Sequence, residues 1–215
     1  MYEPLTLDFL TKNLAPGDIA VLAGVNFGQH VAVAARAIGD SGLVLGIEPQ
    51  PSALLRASAN LANNGLSHRV NLISAALGEK EGFIKMSWSD PRNSGAASLL
   101  DEGAGINVQV VRLDSIFSTF CDKPPRLLLL DIQGFEGYAL AGMSGQTLPS
   151  IIVLEIDPTF VTRANTTVSA LLELLKSKGY LLHTLKGDRV VNDQTQLVEA
   201  NVVGVLPDTS ISWSA

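Results

Sequence analysis

The 215 residues are 47% hydrophobic and 17% charged, enough apolar material for one well-buried core, so a single domain over residues 1–215 is expected. A formal charge of −6, with the 15 Lys and Arg residues scattered along the chain, excludes a dedicated nucleic-acid binder, which needs a basic patch to neutralise phosphates. A lone cysteine, Cys121, excludes an internal disulfide, and no apolar run approaches the roughly 20 residues that span a bilayer.

Strands and helices alternate along the chain, the pattern of an α/β fold with a parallel sheet. Residues 5–14 read as a leading helix and 19–23 as the first strand. A helix begins near Gln29 and stops before Gly39, and the second strand covers 43–47. Pro51 suits the first position of a helix that reaches Asn63, with Gly65 as its stop. The third strand is 70–74. Residues 80–88 and 108–113 read as extra strands around a segment rich in Asp, Asn, Ser and Gly, 89–105, which is the candidate cover of a substrate site. Residues 127–130 form a fully buried fourth strand and 151–156 a fifth, and a helix over 168–177 is closed by Gly179. Residues 180–185 and 201–206 make a terminal pair, joined by a hairpin-like connection over 186–200.

The chemistry begins at the first turn. The apolar strand breaks into Gly24-Val25-Asn26-Phe27-Gly28, a helix follows, and the next strand ends in Glu48-Pro49. Such a unit puts backbone N–H groups and a helix N-terminus beside a ligand, and the carboxylate at the tip of the second strand can accept hydrogen bonds from both ribose hydroxyls of a nucleoside. Gly24 and Glu48 are 48 − 24 = 24 residues apart, close to the roughly 20 of nucleoside-binding units. The third glycine of a dinucleotide fingerprint is missing, which disfavours a nicotinamide-dependent oxidoreductase, and no GxxxxGK[ST] loop occurs. A nucleoside without a phosphate chain remains, and S-adenosylmethionine is the common one. Gly24, Asn26, Gly28 and Glu48 are the candidate cofactor residues, with adenine beside Ala75 and Ala76.

The chain also resembles the FkbM-type methyltransferases, of the class I S-adenosylmethionine-dependent fold. The resemblance is carried by Pro16-Gly17-Asp18, the turn from Gly24 to His30, Glu48-Pro49-Gln50-Pro51, Asn63-Asn64-Gly65-Leu66, Ala75-Ala76-Leu77-Gly78, Ser94-Gly95-Ala96-Ala97-Ser98-Leu99, Val111-Arg112-Leu113-Asp114-Ser115 and Asp131-Ile132-Gln133-Gly134-Phe135-Glu136, in the family's order. It implies a doubly wound, mostly parallel, Rossmann-like sheet with an antiparallel strand near the C-terminus, and O-methylation of a small-molecule or sugar hydroxyl. Three positions depart from the family pattern. Leu22 stands for an acid, Leu129 for a lysine and Gln133 for a glutamate, and these neutral replacements keep open a second reading, a catalytically degenerate cofactor-binding or regulatory module of a larger protein.

Methyl transfer to a hydroxyl asks the protein to align the acceptor and to remove a proton, work for a carboxylate or a histidine. Four such residues stand at the ligand side of the sheet: Asp131 directly after the fourth strand, Glu136 around the Gly134 turn, His30 at the glycine turn, and Glu155 near the end of an apolar strand, where a carboxylate demands a partner. Asp131 is the expected principal base. No metal is assigned, although a hard-cation site around Asp131 and Asp157 is conceivable. The expected partner is a small-molecule or sugar acceptor, with no nucleic acid and no membrane; the sequence leaves the oligomeric state open. The N-terminus has no positive-then-apolar layout of a signal peptide, so the expected compartment is the cytoplasm.

Overall fold

The computed structural model describes residues 3–86, 105–145, 147–164, 166–190 and 200–214. Seven strands make the main sheet: β1 (Ile19–Ala23), β2 (Leu43–Ile47), β3 (Val70–Ile73), β7 (Leu127–Leu130), β8 (Ile151–Ile156), β9 (Leu181–Thr184) and β10 (Ala200–Val205). Their order is β3-β2-β1-β7-β8-β10-β9, parallel from β3 through β8, with β10 antiparallel to both of its neighbours. This is the expected doubly wound, mostly parallel sheet. A second sheet of three strands, β4 (Ala76–Leu77), β5 (Gly82–Met86) and β6 (Ile106–Val111), runs in the order β4-β6-β5.

Alternate residues of the central strands enter opposite apolar layers, as strand geometry requires. Ala20, Leu22, Leu127, Leu129 and Val153 pack with α1 (Pro4–Asn13), α2 (Gln29–Ile38) and α3 (Pro51–Asn63). Val21, Ala23, Leu128, Leu130 and Leu154 pack with α4 (Leu113–Phe120), α5 (Glu136–Ala141) and α7 (Val168–Ser177), while α6 (Pro158–Arg163) follows β8. Every residue of β7 is buried, which explains its unbroken run of leucines: helices cover both faces, so no position is left for a polar side chain. On α2 the buried residues Val31, Ala34, Ala35 and Ile38 recur at helical spacing, and full burial of Val31 and Ile38 contributes about 1.5–3 kcal/mol each.

Two expectations need correction. Leu113 was read as the end of a strand; β6 stops at Val111, and Leu113 opens α4, whose apolar residues Leu113, Ile116 and Phe117 follow the helical period and bury one stripe. The strand expected over 80–88 begins only at Gly82. The candidate cover over 89–105 lies outside the described residues except for Gly105, and of the connection over 186–200 only 186–190 and Ala200 are described.

Candidate functional site

Strand order reverses between β2-β1 and β7-β8, so the chain leaves β1 and β7 on opposite faces of the sheet and a crevice opens between their carboxyl ends. Gly24 follows β1 with φ +87°, and a Cβ there would land on the backbone carbonyl of Asp131, the residue that follows β7. Only glycine lets the two strand ends meet so closely. Asn26 also takes a left-handed conformation (φ 49°), and Gly28 (φ 89°) starts α2 within 3.2 Å, measured from an added Cβ, of the Ala57 methyl on α3.

Glu48 is buried at the tip of β2 and binds this turn. One of its oxygens, Oε2, accepts the Asn26 N–H at 3.1 Å, and Oε1 accepts the Gln50 N–H at 2.9 Å. Burial raises its pKa against the two amides. Gln50, which the sequence did not single out, holds a buried Oε1 with no hydrogen-bond partner. Ala75 lies just beyond β3 and is buried; Ala76 begins β4 and is half-buried.

The four candidate acid and base residues gather around Asp131, together with a fifth residue. One oxygen each of Asp131, Glu155 and Glu3 lie within 4.8 Å of one another. His30 Nε2, on the first turn of α2, is 3.5 Å from Glu3 Oε2. Burial pushes the Asp131 carboxyl up to about 10, helped by its hydrogen bond to Glu155 and by the charges of Glu155, Glu3 and Glu136. Burial likewise lowers His30 below 6.5 despite the pull of Glu155, so its ring is neutral at pH 7. Glu136 is 1% exposed; its Oε1 accepts the Ile132 N–H at 3.1 Å and closes the loop between β7 and α5, while burial pushes it up to about 7. Asp131, the expected principal base, is hydrogen-bonded to Glu155, and this contact together with its burial favours the protonated form of the Asp131 carboxyl.

Glu3 carries no local signal in the sequence. It precedes α1, which packs on α2 through Phe9 and Leu10 and is tied to β10 where Asn201 donates to Thr6 Oγ1 at 2.8 Å. Asp157 does not join the cluster: it caps α6, its Oδ1 accepting the Thr159 N–H at 2.7 Å. The three neutral replacements separate. Leu22 and Leu129 are register partners across β1 and β7, 1% and 3% exposed, inside one apolar layer. Gln133, in the loop after β7, takes a left-handed conformation (φ 52°) with a buried Oε1 that has no partner.

A family model described as the methyltransferase FkbM domain matches residues 23–182. Among solved structures, a SAM-dependent O-methyltransferase from Thermotoga maritima superposes with a TM-score of 0.58 at 16% identity, covering 99% of this chain and 68% of that one. A precorrin-6Y C5,15-methyltransferase from Geobacter metallireducens gives 0.54 at 14% identity, covering 94% and 87%. A fibrillarin from Aeropyrum pernix, in complex with S-adenosyl-L-methionine, gives 0.53 at 13%, covering 92% and 73%. The comparison with curated proteins returned no match. No helix among the described residues is long and apolar enough to cross a membrane.

Proposed function

The chain belongs to the FkbM methyltransferase family, whose cofactor is S-adenosylmethionine, and from that premise we propose that it methylates the oxygen of a small-molecule or sugar hydroxyl in the cytoplasm. The residues fit the cofactor. Each Glu48 oxygen accepts one amide and has a lone pair left for a ribose hydroxyl, and the orphaned Gln50 Oε1 beside it calls for a donor. Ala75 and Ala76 present small side chains where a flat base can lie, and the turn of Gly24, Asn26 and Gly28 leads to the reacting end. When bound, the cofactor supplies the methyl group already activated by the positive charge on sulfur.

The observation that carries the acceptor chemistry is the convergence of Asp131 and Glu155 at the ends of β7 and β8. The hydroxyl proton passes to this pair, whose burial and mutual hydrogen bond favour taking up a proton at Asp131. His30, neutral beside Glu3, orients a polar group without adding charge, and Glu136 is a positioning residue that sets the Asp131 loop through Ile132. Gln133 lines the acceptor mouth. The alternative of a degenerate binding module keeps its motives, with Leu22 and Leu129 paired inside the apolar layer and Gln133 in the loop after β7.

Methyl transfer from radiolabelled S-adenosylmethionine to a panel of hydroxylated small molecules and sugars tests the reading. Label appearing as a methyl ether on one class of acceptor supports it. Cofactor binding with no transfer to any acceptor supports the degenerate module instead.

A further inference from the structure

We propose that a cavity beside the start of α4 binds the oxyanion head of a small metabolite, a phosphate or a carboxylate, at Arg112. The proposal stands apart from the methyl-transfer reading, because none of the residues assigned to the crevice lines this cavity. Its volume is about 460 Å³, inside the range of about 300–1,000 Å³ in which small-molecule sites fall. One wall is Arg112, Asp114, Ser115 and Ser118, at and after the start of α4; the other is Ser144 and Thr147, in the segment after α5. Arg112, Asp114 and Ser115 belong to the motif Val111-Arg112-Leu113-Asp114-Ser115, to which methyl transfer gives no task.

The lining is short of acceptors, and this decides the charge of the ligand. Among the described lining residues Asp114 is the one carboxylate, and both of its oxygens are taken. Each accepts the Ser144 N–H at 3.0 Å, and Oδ2 also accepts Arg112 Nη2 at 2.8 Å. The Asp114 N–H in turn donates to the Gly142 carbonyl at 3.2 Å, so the two walls are fastened to each other. Donors are left over. Arg112 Nε is buried and has no hydrogen-bond partner, and the hydroxyls of Ser144 and Thr147 engage no other described residue. Ser115 and Ser118 give their protons to Glu81 Oε1 and to the Ser115 carbonyl, and present only lone pairs. A second cation stands close by: Lys178 donates to the Met143 carbonyl at 2.5 Å and feels the charge of Asp114. A guanidinium is planar and holds two oxygens of a phosphate or carboxylate side by side. An oxyanion therefore answers the surplus of N–H and O–H groups and offers an acceptor to an arginine whose buried N–H is costly without one. The lone pairs of Ser115 and Ser118 suit hydroxyls on the rest of the ligand, so a phosphorylated or carboxylated polyol matches the cavity better than a bare ion.

The experiment titrates the full chain with glycerol 3-phosphate, glycerate and glycerol, by calorimetry and by amide signals. One anion per chain is expected, with glycerol at least about tenfold weaker, and the anion that binds more tightly identifies the head group. Amides of Ser115, Ser144 and Thr147 should shift before those of Gly24 and Asn26 in the crevice. Arg112→Gln should weaken anion binding by about tenfold or more. That variant takes a partner from Asp114, so Ser144→Glu is the second test: the position is exposed, and a carboxylate there should repel the anion to a similar degree. Affinity for S-adenosylmethionine should stay at the wild-type value in both, which shows an intact chain. Saturable binding of neither anion, glycerol bound as tightly as the anions, shifts centred on the crevice, or unchanged anion affinity in the folded variants would overturn the proposal.

Discussion

Glu136→Gln should make the stability of the cofactor-free protein less dependent on pH. In the folded chain burial raises this carboxyl from 4.5 to about 7, so between those values the folded state holds a proton that the unfolded chain has released. Stability contributed by the protonated group is therefore complete below about pH 4.5 and falls as pH rises, with the loss complete once pH passes the folded value near 7. The gap of about 2.5 pH units corresponds to about 3 kcal/mol at roughly 1.4 kcal/mol per unit. Gln keeps an oxygen for the Ile132 N–H but cannot titrate. Its buried NH₂ costs about 1–3 kcal/mol if it finds no acceptor, yet that cost shifts the whole curve and not its slope. Urea unfolding from about pH 5 to about pH 8 measures the difference: the wild type should lose about 3 kcal/mol more than the variant across that range. Curves that stay parallel would refute the reasoning, since they would mean that Glu136 does not change its protonation on folding.

Other expectations concern binding and turnover. Glu48→Ala should weaken S-adenosylmethionine binding by about 1.5–3 kcal/mol in calorimetry, the worth of hydrogen bonds to a charged group, and equal affinities would remove Glu48 from the ribose. Asp131→Asn imitates the protonated carboxyl but cannot exchange its proton with Glu155, so turnover of a verified acceptor should fall by about 10²–10⁴-fold with cofactor affinity little changed. A loss of affinity equal to the loss of turnover would place Asp131 in the cofactor shell instead. Gln133→Gly relieves a left-handed side chain and should leave denaturant stability within about 1 kcal/mol of wild type, while KM for the acceptor rises; an unchanged KM would separate Gln133 from acceptor recognition.

The parallel strands were legible because their signals are local. Ile19–Ala23, Leu43–Ile47, Leu127–Leu130 and Ile151–Ile156 are apolar runs closed by turn residues or charges, and all four have the bounds expected from sequence. The helix α4 was not legible because the apolar residues Val108, Val110 and Val111 are followed almost at once by Leu113, with no capping side chain at Arg112 to mark the change. The site divides in the same way. Gly24, Asn26, Gly28 and Glu48 belong to one strand-turn-helix-strand unit whose spacing is visible along the chain. Glu3 enters the site because α1 packs into an apolar layer built from distant elements and is tied to β10 by the hydrogen bond between Asn201 and Thr6, nearly two hundred positions apart, and no local pattern records that. The raised pKa of Asp131 was likewise invisible: it follows from the depth at which Asp131 and Glu155 meet, a property of the assembled sheet.

The pairing of Leu22 with Leu129 bears on how related chains change over time. In family members these two positions carry an acid and a lysine, and in this chain they are neighbours across adjacent buried strands. A chain with only one of the two charges would hold an uncompensated buried ion, at about 3–5 kcal/mol out of a total stability of about 5–15 kcal/mol. The charged and the apolar versions are thus separated by an intermediate near the edge of unfolding, and descent from one to the other favours lineages that exchange both residues almost together. On this argument the two positions are best considered as a pair. A neutral residue at the first, taken alone, is then no sign of lost activity in a relative, and the residue opposite has to be read before a chain is set aside as inactive.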